Sequence, residues 1–328
     1  MANISTRFFG LDLKSPVIAA SSSMTGHAEQ VIKLAEAGAG AIVLKSIFEE
    51  EIFSELQEEL SLRTEMNSDP EYLDYFDYVI KEETLRKYLH LISDTKARTT
   101  VPIVASINCV SSSDWTLFAR KIEEAGADAL ELNMFVTPSD VSKSSENHEQ
   151  FYLETIQKVL AVVKIPVTVK ISHYFSNLSG MVQKLSETGI AGITIFNRFY
   201  SPDVDIQSES VTVADVLSTS HDYLLPLKWT GILSGQIKID LSATSGIHSA
   251  ETALKFLLSG ASAIQVASVL YHEGPSAITR MNQEISDWMD QKGYKTIADF
   301  QGSLSQAATS AQAWERTQFM KYFGEKAY

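Results

Sequence analysis

Polar side chains that could do chemistry stand at the ends of four similar segments of this sequence. Each segment has a glycine, a small residue shortly after it and then an apolar run, and the four runs end in Lys45, Asn133, Asn197 and Ser268. A glycine closes a helix because it adopts the left-handed backbone without steric cost. An apolar run without alternation is typical of a parallel strand that is covered on both faces. The pattern predicts four helix–strand units, each with a polar group where its strand ends.

Four further strands complete the predicted sheet. Three of them open with Pro16, Pro102 and Pro166, and the fourth covers residues 237–241. Helices are predicted between the strands, at about residues 28–37, 114–125, 149–163, 250–258 and 275–291. Eight strands that alternate with helices predict an α/β fold, a (β/α)8 TIM barrel. An open doubly wound sheet is the alternative, but the sequence has no Rossmann glycine motif and no P-loop to favour it.

The barrel prediction covers residues 1–328 as one domain. A short hairpin over residues 7–13 precedes the first strand, and two long insertions, residues 47–101 and 198–232, follow strand ends at the C-terminal mouth. The first insertion contains an aromatic helix after the turn at residues 67–70. The second is predicted to be irregular. Long insertions of this kind are uncommon unless they are functional.

The carboxyl ends of barrel strands share one mouth, which is where barrel chemistry takes place. The residues predicted to meet there are Ala20, Ser21, Ser22, Lys45, Ser46, Asn108, Cys109, Asn133, Lys170, Asn197, Arg198, Ser245, Gly246 and Ser268. This set contains no carboxylate pair, and the histidines show no metal-ligand spacing, so we expect no metal site. Each lysine alone could be a snorkelling side chain, but two buried cations would need an anion nearby.

Composition and charge narrow the function classes. The chain has 328 residues, 45% of them hydrophobic, and a formal net charge of −14. An acidic protein lacks the positive surface that nucleic acids and anionic membranes require, and no apolar run is long enough to span a bilayer. The first residues lack the apolar core of a signal peptide. A single cysteine, Cys109, fits a reducing compartment. We therefore expect a cytoplasmic protein with a small-molecule substrate.

Seven segments in the same order carry a family resemblance: SPVIAASS, GAIVLKS, VPIVASI, GADALELN, PVTVKIS, GITIFN and SGIHSAETALKFLLSGASAIQVAS. Over nearly its full length the sequence resembles the dihydroorotate dehydrogenase family, and within it the soluble class 1 branch. The resemblance implies an FMN-dependent oxidoreductase that acts on a CH–CH bond, as a cytoplasmic homodimer.

The resemblance also implies which residues contact FMN. These are Ala20, Ser21, Lys45, Asn133, Lys170, Asn197, Ser245, Gly246 and Ser268. The two lysines would reach the flavin ring and the ribityl chain, and the two asparagines would hydrogen-bond flavin or substrate. Ser245, Gly246 and Ser268 would hold the phosphate, in agreement with the general rule that barrel phosphates lie at the last two loops.

The substrate side departs from the family pattern. Family enzymes carry a cysteine or serine base shortly after the asparagine of strand four, but Val136 occupies that position here and cannot accept a proton. Pro138 stands where a second asparagine would bind substrate, and Asn67 is a possible remnant of the substrate loop. The catalytic candidates that remain are Lys45, which fits either side of the site, and Cys109, whose alternative role is a buried residue at the end of strand three.

These departures predict that dihydroorotate is turned over very slowly or not at all. Arg198 follows Asn197 where a small hydroxyl residue is usual in the family. Because guanidinium binds carboxylate in a bidentate manner, Arg198 favours another small, anionic substrate. Two alternatives stay open: an FMN-binding protein or subunit without dihydroorotate activity, and a barrel enzyme that uses Lys45 or Lys170 as a Schiff-base nucleophile.

Overall fold

The computed structural model describes residues 2–48, 70–108, 115–198 and 201–315. Two of the predicted site residues, Asn67 and Cys109, lie outside the described residues. The predictions for them therefore stay predictions. The glutamate-rich stretch at the start of the first insertion also falls outside.

A closed barrel of eight parallel strands confirms the predicted (β/α)8 fold. The strands of the described residues are β1 (Thr6–Phe8), β2 (Leu11–Leu13), β3 (Val17–Ala19), β4 (Ile42–Val43), β5 (Ile47–Phe48), β6 (Ile103–Asn108), β7 (Ala129–Asn133), β8 (Val167–Ile171), β9 (Gly192–Ile195), β10 (Pro202–Asp205), β11 (Ser210–Val213), β12 (Asp240–Thr244) and β13 (Ala263–Val266). The barrel order is β3, β4, β6, β7, β8, β9, β12, β13 and back to β3. The short strand β5 continues the line of β4 and also pairs with β6.

Helices surround this barrel. They are α1 (Ala28–Glu36), α2 (Pro70–Arg98), α3 (Trp115–Glu124), α4 (Ser145–Leu160), α5 (Leu178–Ser186), α6 (Leu224–Leu233), α7 (Ala250–Ser259), α8 (Ser268–Glu273), α9 (Ser276–Lys292) and α10 (Ala311–Glu315). Helix α4 begins four residues earlier than predicted, because the Ser144 hydroxyl caps it by accepting a hydrogen bond from the Asn147 amide at 3.2 Å. None of the helices in the described ranges has the length and apolarity that crossing a membrane demands.

The N-terminal hairpin closes the end of the barrel that is opposite the mouth. Strands β1 and β2 pair antiparallel. Phe8 at the end of β1 and Phe9 after it are fully buried in one cluster with Val43 and Val104 of the barrel interior. A side chain at Gly192 would contact the Phe8 ring, since a Cβ there would lie 3.0 Å from it. The apolar plug leaves the carboxyl end of the strands as the open end.

The first insertion contributes the helix α2, as predicted from its aromatic residues. Leu85, Tyr88 and Ile92 of this helix are buried. The Tyr88 hydroxyl accepts a hydrogen bond from the Ser106 amide at 2.8 Å and donates one to the Ser106 carbonyl at 3.2 Å. Burial raises the pKa of this phenol, so it stays protonated. Helix α2 is thereby fixed against the barrel strand β6.

The prediction of an irregular second insertion is wrong. This insertion contains the hairpin of β10 and β11 and the helix α6. The hairpin was missed although Val211 and Val213 alternate with polar residues, since its strands are exposed on both faces and lack the apolar runs that mark the barrel strands. Helix α6 was missed because its apolar residues surround the helix and it contains Pro226 and Gly231, which usually end helices.

The position predicted for strand seven is also wrong by three residues. We expected it at residues 237–241, where the apolar residues stand, but β12 runs from Asp240 to Thr244. Ser242 and Thr244 are buried in the barrel although they are polar. Polar side chains that face a barrel interior interrupt the apolar pattern by which a parallel strand is recognised.

Candidate active site

A cleft formed by two connected cavities lies at the C-terminal mouth of the barrel. The smaller cavity measures about 270 Å³ and the larger cavity about 1130 Å³. Of the nine residues predicted to contact FMN, Ala20, Ser21, Lys170, Asn197, Ser245, Gly246 and Ser268 line the smaller cavity. Lys45 and Asn133 line the larger cavity, which shares Ser21, Lys170, Asn197 and Ser245 with the smaller one. The fold thus brings all nine to one continuous cleft.

Lys170 is held in the wall between the two cavities by a buried carboxylate. It is the penultimate residue of β8, and only 7% of the residue is exposed. Its ammonium lies 4.0 Å from Glu131 Oε1 and 3.5 Å from Gln265 Oε1. Glu131 is fully buried on the neighbouring strand β7. The anion that a buried lysine needs is therefore present.

Glu131 belongs to a polar layer that crosses the barrel interior. Its Oε2 atom accepts hydrogen bonds from Gln265 at 2.7 Å and from Thr194 at 3.2 Å. Its Oε1 atom, which faces Lys170, has no hydrogen-bond partner in the described part of the chain. The sequence analysis overlooked Glu131, although a charged residue inside the apolar run ALELN was a usable signal. The layer fixes a positive charge at the floor of the cleft.

The loop after β12 is shaped by two left-handed residues. Ser245 has φ 80° and Gly246 has φ 70°. A Cβ at Gly246 would lie 2.2 Å from the Tyr223 amide nitrogen, so only glycine fits this close approach of two backbones. The loop turns beside the smaller cavity and presents backbone groups to it.

Ser268 does not end a strand, because β13 stops at Val266 and Ser268 is the first residue of helix α8. Its hydroxyl accepts hydrogen bonds from the Ser218 amide at 2.8 Å and from the Ser218 hydroxyl at 2.9 Å. Ser218 also lines the smaller cavity and lies 3.2 Å from Nε2 of His248. The sequence analysis did not select Ser218, since it belongs to the second insertion and carries no motif.

Arg198 lines both cavities, but its guanidinium is engaged by the second insertion. It donates to the Asp222 carboxylate at 3.0 Å and to the carbonyls of Asp215, Val216 and Leu217 at 3.2–3.4 Å. These contacts fix the loop that carries Ser218 to the smaller cavity. The substrate role predicted for Arg198 would require this guanidinium to exchange Asp222 for a ligand.

The remaining polar residues of the mouth bond to one another. The Asn197 amide donates to the Asn133 side-chain oxygen. The Ser46 amide donates to the Ser21 hydroxyl at 2.9 Å, and the Ser46 hydroxyl lies 2.6 Å from that of Ser106. Side-chain hydrogen bonds thus join the neighbouring strand ends and preorganise the floor of the cleft.

The loop after β7 places the neighbours of Val136 in the cleft, and not Val136 itself. Val136 packs against the hydrophobic core, and its amide donates to the buried Tyr152 hydroxyl at 3.2 Å. Burial raises the pKa of that phenol to about 12. Phe135 and Thr137, on either side of Val136, line the larger cavity. Pro138 is exposed and is not among the cavity-lining residues that the structure describes.

Aromatic side chains form the wall of the larger cavity at β7, β8 and β9. The rings of Phe135 and Tyr174 are 6.1 Å apart edge to face, those of Tyr174 and His173 are 4.4 Å apart, and those of His173 and Phe196 are 5.7 Å apart. We call these four residues the aromatic wall. The sequence analysis missed it, since its members lie just beyond three different strands and show no spacing pattern.

No group of three His, Cys, Asp or Glu side chains within residues 2–48, 70–108, 115–198 and 201–315 is arranged to hold a metal ion. The cleft instead combines a fixed cation with hydroxyls and a glycine turn. Parallel barrels that bind a phosphate group frequently do so at the loops after the last two strands, and these groups lie at those loops here.

Comparison with known sequences identifies the family. The family model described as dihydroorotate dehydrogenase matches residues 72–289, and the chain belongs to this family. It is 26% identical over 325 residues to the dihydroorotate dehydrogenase (fumarate) of Saccharomyces cerevisiae, which covers 93% of this chain and 99% of the yeast protein. It is 24% identical over 316 residues to the catalytic subunit of dihydroorotate dehydrogenase B (NAD(+)) of Thermoplasma volcanium, with 92% and 98% covered. The resemblance seen in the sequence is thereby confirmed.

Proposed function

We propose that this protein is an FMN-dependent oxidoreductase that acts on a CH–CH bond of a small molecule. The observation that carries the proposal is Lys170, a nearly buried cation over the Glu131 carboxylate at the boundary of the two cavities. A fixed cation there suits a cofactor whose ring gains negative charge when it is reduced. Family membership supports the same reaction class.

The residues of the smaller cavity fit the phosphate end of FMN. The left-handed turn at Ser245 and Gly246 lets the backbone approach a ligand closely. Ser218 and Ser268 add hydroxyl groups to the lining of the same cavity. These groups are the donors that a phosphate oxygen accepts from. FMN would thus lie with its phosphate between the loops after β12 and β13.

The residues around Lys170 would orient the flavin ring. When bound, FMN would accept a hydride from the substrate. The Lys170 ammonium would stabilise the negative charge on the reduced ring, and Glu131 keeps that ammonium in place. Asn133 and Asn197, which already hydrogen-bond to each other, would present their remaining amide groups to the flavin or the substrate.

Dihydroorotate turnover by this chain is expected to be very slow or absent. A positioned general base contributes about 10²–10⁴-fold to such reactions, and Val136 provides neither a titratable group nor access to the cleft. Purified protein should be yellow and bind one FMN non-covalently. Dihydroorotate at saturation should then be assayed with fumarate, NAD and an artificial dye as acceptors. Protein that takes up no FMN would contradict the proposal, and ordinary dihydroorotate dehydrogenase rates would contradict the expectation about the substrate.

A flavin-binding subunit without its own reaction shares every FMN feature, and a substrate screen with the flavin as reporter separates it from an enzyme. The Schiff-base alternative fits the site less well. Lys170 forms a buried ion pair with Glu131, whereas a Schiff-base nucleophile acts as an uncharged amine. Borohydride trapping of a carbonyl compound on Lys45 or Lys170 in flavin-free protein would favour that alternative.

We propose that the protein is a homodimer in the cytoplasm. The class 1 resemblance supports the dimer, and the single cysteine fits a reducing compartment. Light scattering tests the dimer directly. A mass equal to the 36.2 kDa monomer throughout the micromolar range would contradict it.

A further inference from the structure

We propose that the larger cavity binds a neutral, planar ring compound with a conjugated carbon–carbon double bond, and that His173 exchanges the proton with that bond. This inference rests on the proposed FMN-dependent function and names its substrate class. It also replaces the anionic substrate that the sequence predicted with a neutral one.

The aromatic wall argues for a planar ring. Its members Phe135, His173, Tyr174 and Phe196 all line the larger cavity and contact one another in sequence. Tyr174 is 50% exposed in the structure, although a tyrosine of this size gains free energy when a ring covers it. Leu224 and Leu225 of helix α6 also line this cavity and are 57% and 43% exposed. A flat apolar ligand would bury these side chains together with Tyr174.

The charges of the larger cavity argue against an anion beyond the flavin. The Arg198 guanidinium is paired with Asp222 at 3.0 Å and with three carbonyls. Asp222 itself lines the cavity, so its negative charge would repel a carboxylate substrate. Lys170 is already balanced by Glu131. Lys45, the third cation in the lining of this cavity, is one of the residues assigned to FMN, so the charges of these described residues leave the aromatic side without a net attraction for a second anion.

His173 is placed to exchange a proton with a ligand on this wall. It follows β8 at the second position and comes three residues after Lys170. No group in the described part of the chain hydrogen-bonds its ring nitrogens. Partial burial lowers the pKa of the imidazole, which keeps it neutral and able to accept a proton at neutral pH. Two other groups in the lining compete for this role. The Thr137 hydroxyl needs a further base to accept a proton, and His221 belongs to the second insertion and not to the aromatic wall.

The reaction balances with flavin as the oxidant. In the oxidative direction one carbon of the substrate would lose a hydride, for which bound FMN would supply the acceptor, and the adjacent carbon would lose a proton to a ring nitrogen of His173. The two electrons left by that proton would form the new carbon–carbon double bond. In the reductive direction His173 would return the proton to the carbon next to the one that takes up the hydride.

Ligand binding tests the substrate class without turnover. Oxidised holoprotein is titrated with benzalacetone, a neutral aryl enone, and with orotate, an anionic pyrimidine, and the flavin spectrum reports binding. We expect the enone to bind at least about tenfold more tightly than orotate, and Tyr174→Leu to weaken the enone by about 2- to 10-fold through the lost ring contact. Tighter binding of orotate, or no effect of Tyr174→Leu on the enone, would overturn the substrate class.

Rapid mixing of reduced holoprotein with benzalacetone tests His173. We expect His173→Gln to slow flavin reoxidation by about 100-fold or more and to change the dissociation constant of the enone less than about threefold, because proton transfer acts in the transition state only. His148→Gln, on helix α4 and outside the lining of both cavities, is the matched histidine control. A greater loss of rate in Thr137→Val than in His173→Gln would transfer the role to Thr137.

The failures of the two proposals are distinguishable. If the wild-type protein binds no FMN, the proposed function fails. If FMN content and reoxidation by an artificial dye are normal in wild type and in His173→Gln, while the enone reacts at the same rate with both, only the role of His173 is overturned. Dye reoxidation also shows that the variant is folded, since FMN must stay bound for it to occur.

Discussion

The two sides of the barrel mouth are formed by different means. On the side of β12 and β13, backbone conformation forms the smaller cavity: the turn at Ser245 and Gly246 and the start of helix α8. On the side of β7, β8 and β9, the side chains of the aromatic wall form the larger cavity. A site made by backbone tolerates few substitutions, whereas a site made by side chains changes ligand by substitution alone. This difference explains how the chain can keep the cofactor features of its family and differ in the residues for the substrate.

The largest expected effect concerns Lys170, which lies where the two sides meet. Lys170→Met leaves the Glu131 carboxylate buried without its cation, and we expect the free energy of unfolding to fall by about 3–5 kcal/mol. The double variant Lys170→Met with Glu131→Gln removes both charges and should recover most of that loss. Denaturant unfolding of the flavin-free proteins measures both values.

The same variants test the role of the charge toward the flavin. Both should bind FMN more weakly or hold it at a lower reduction potential than wild type, since both lack the ammonium. Equal stability of the single and double variants would show that Glu131 and Lys170 are not coupled. An unchanged potential together with unchanged FMN affinity would make Lys170 a structural residue only.

The second-largest expected effect concerns the side of β12 and β13, where backbone conformation forms the smaller cavity. Gly246→Ala places a Cβ where it would lie 2.2 Å from the Tyr223 amide nitrogen, and overpacking of this kind costs about 1–3 kcal/mol. We expect FMN affinity, measured by fluorescence titration, to fall accordingly, by about 5- to 150-fold.

Gly293→Ala is the matched control for this substitution. Gly293 has φ 77°, close to the 70° of Gly246, but nothing lies within 4 Å of its Cβ position. It therefore carries the left-handed strain without the clash and lies at the end of α9, outside the lining of both cavities. If both variants lose FMN equally, the close approach at Gly246 is not what shapes the smaller cavity.

The third expected effect tests whether Arg198 supports FMN binding or binds the substrate. Because Arg198 fixes the loop of residues 215–218, Arg198→Gln should weaken FMN binding by about 5- to 10-fold, a modest value since the ion pair is partly exposed. Binding of benzalacetone to the remaining holoprotein should change little. Arg98→Gln, which breaks an ion pair with Glu29 away from the mouth, is the control. Unchanged FMN affinity with weakened orotate binding would restore the predicted substrate role.

The smallest expected effect is a pH dependence of the stability of the folded protein, which His248 causes. Burial is the main cause that lowers the pKa of His248, with His272 adding to it and the Ser218 backbone, Glu273 and Asp222 opposing it. The folded protein therefore binds this proton less readily than the unfolded chain. The contribution to stability is full above the usual pKa of 6.5 and is lost as the pH falls through the lowered value.

Thermal unfolding at about pH 7.5 and about pH 5.5 measures this dependence. The melting temperature should drop at the lower pH, and His248→Gln should reduce the size of the drop. A drop of the same size in wild type and variant would assign the pH dependence to other groups.

The sequence determined the barrel and most of its floor. Glycine stops, strand-opening prolines and uniform apolar runs are local features, and they predicted the order of the strands and the polar residues at their ends. Where polar side chains face the barrel interior, as Ser242 and Thr244 do in β12, the apolar pattern fails and the predicted strand was displaced. The exposed hairpin of β10 and β11 is a different case: Val211 and Val213 alternate with polar residues, yet neither face is buried and no apolar run marks its strands.

Only the tertiary structure decided which groups act together. Glu131 and Lys170 lie 39 positions apart on neighbouring strands, and nothing local in either segment specifies their pairing. Arg198 reads as a substrate ligand in the sequence, yet long-range contacts with residues 215–222 engage it. The aromatic wall combines the ends of three strands. The local sequence determines the hydrophobic periodicity of each helix and strand and the residues at which it ends. Closure of the barrel determines the distances between side chains on different strands. The chemistry of a site depends on those distances.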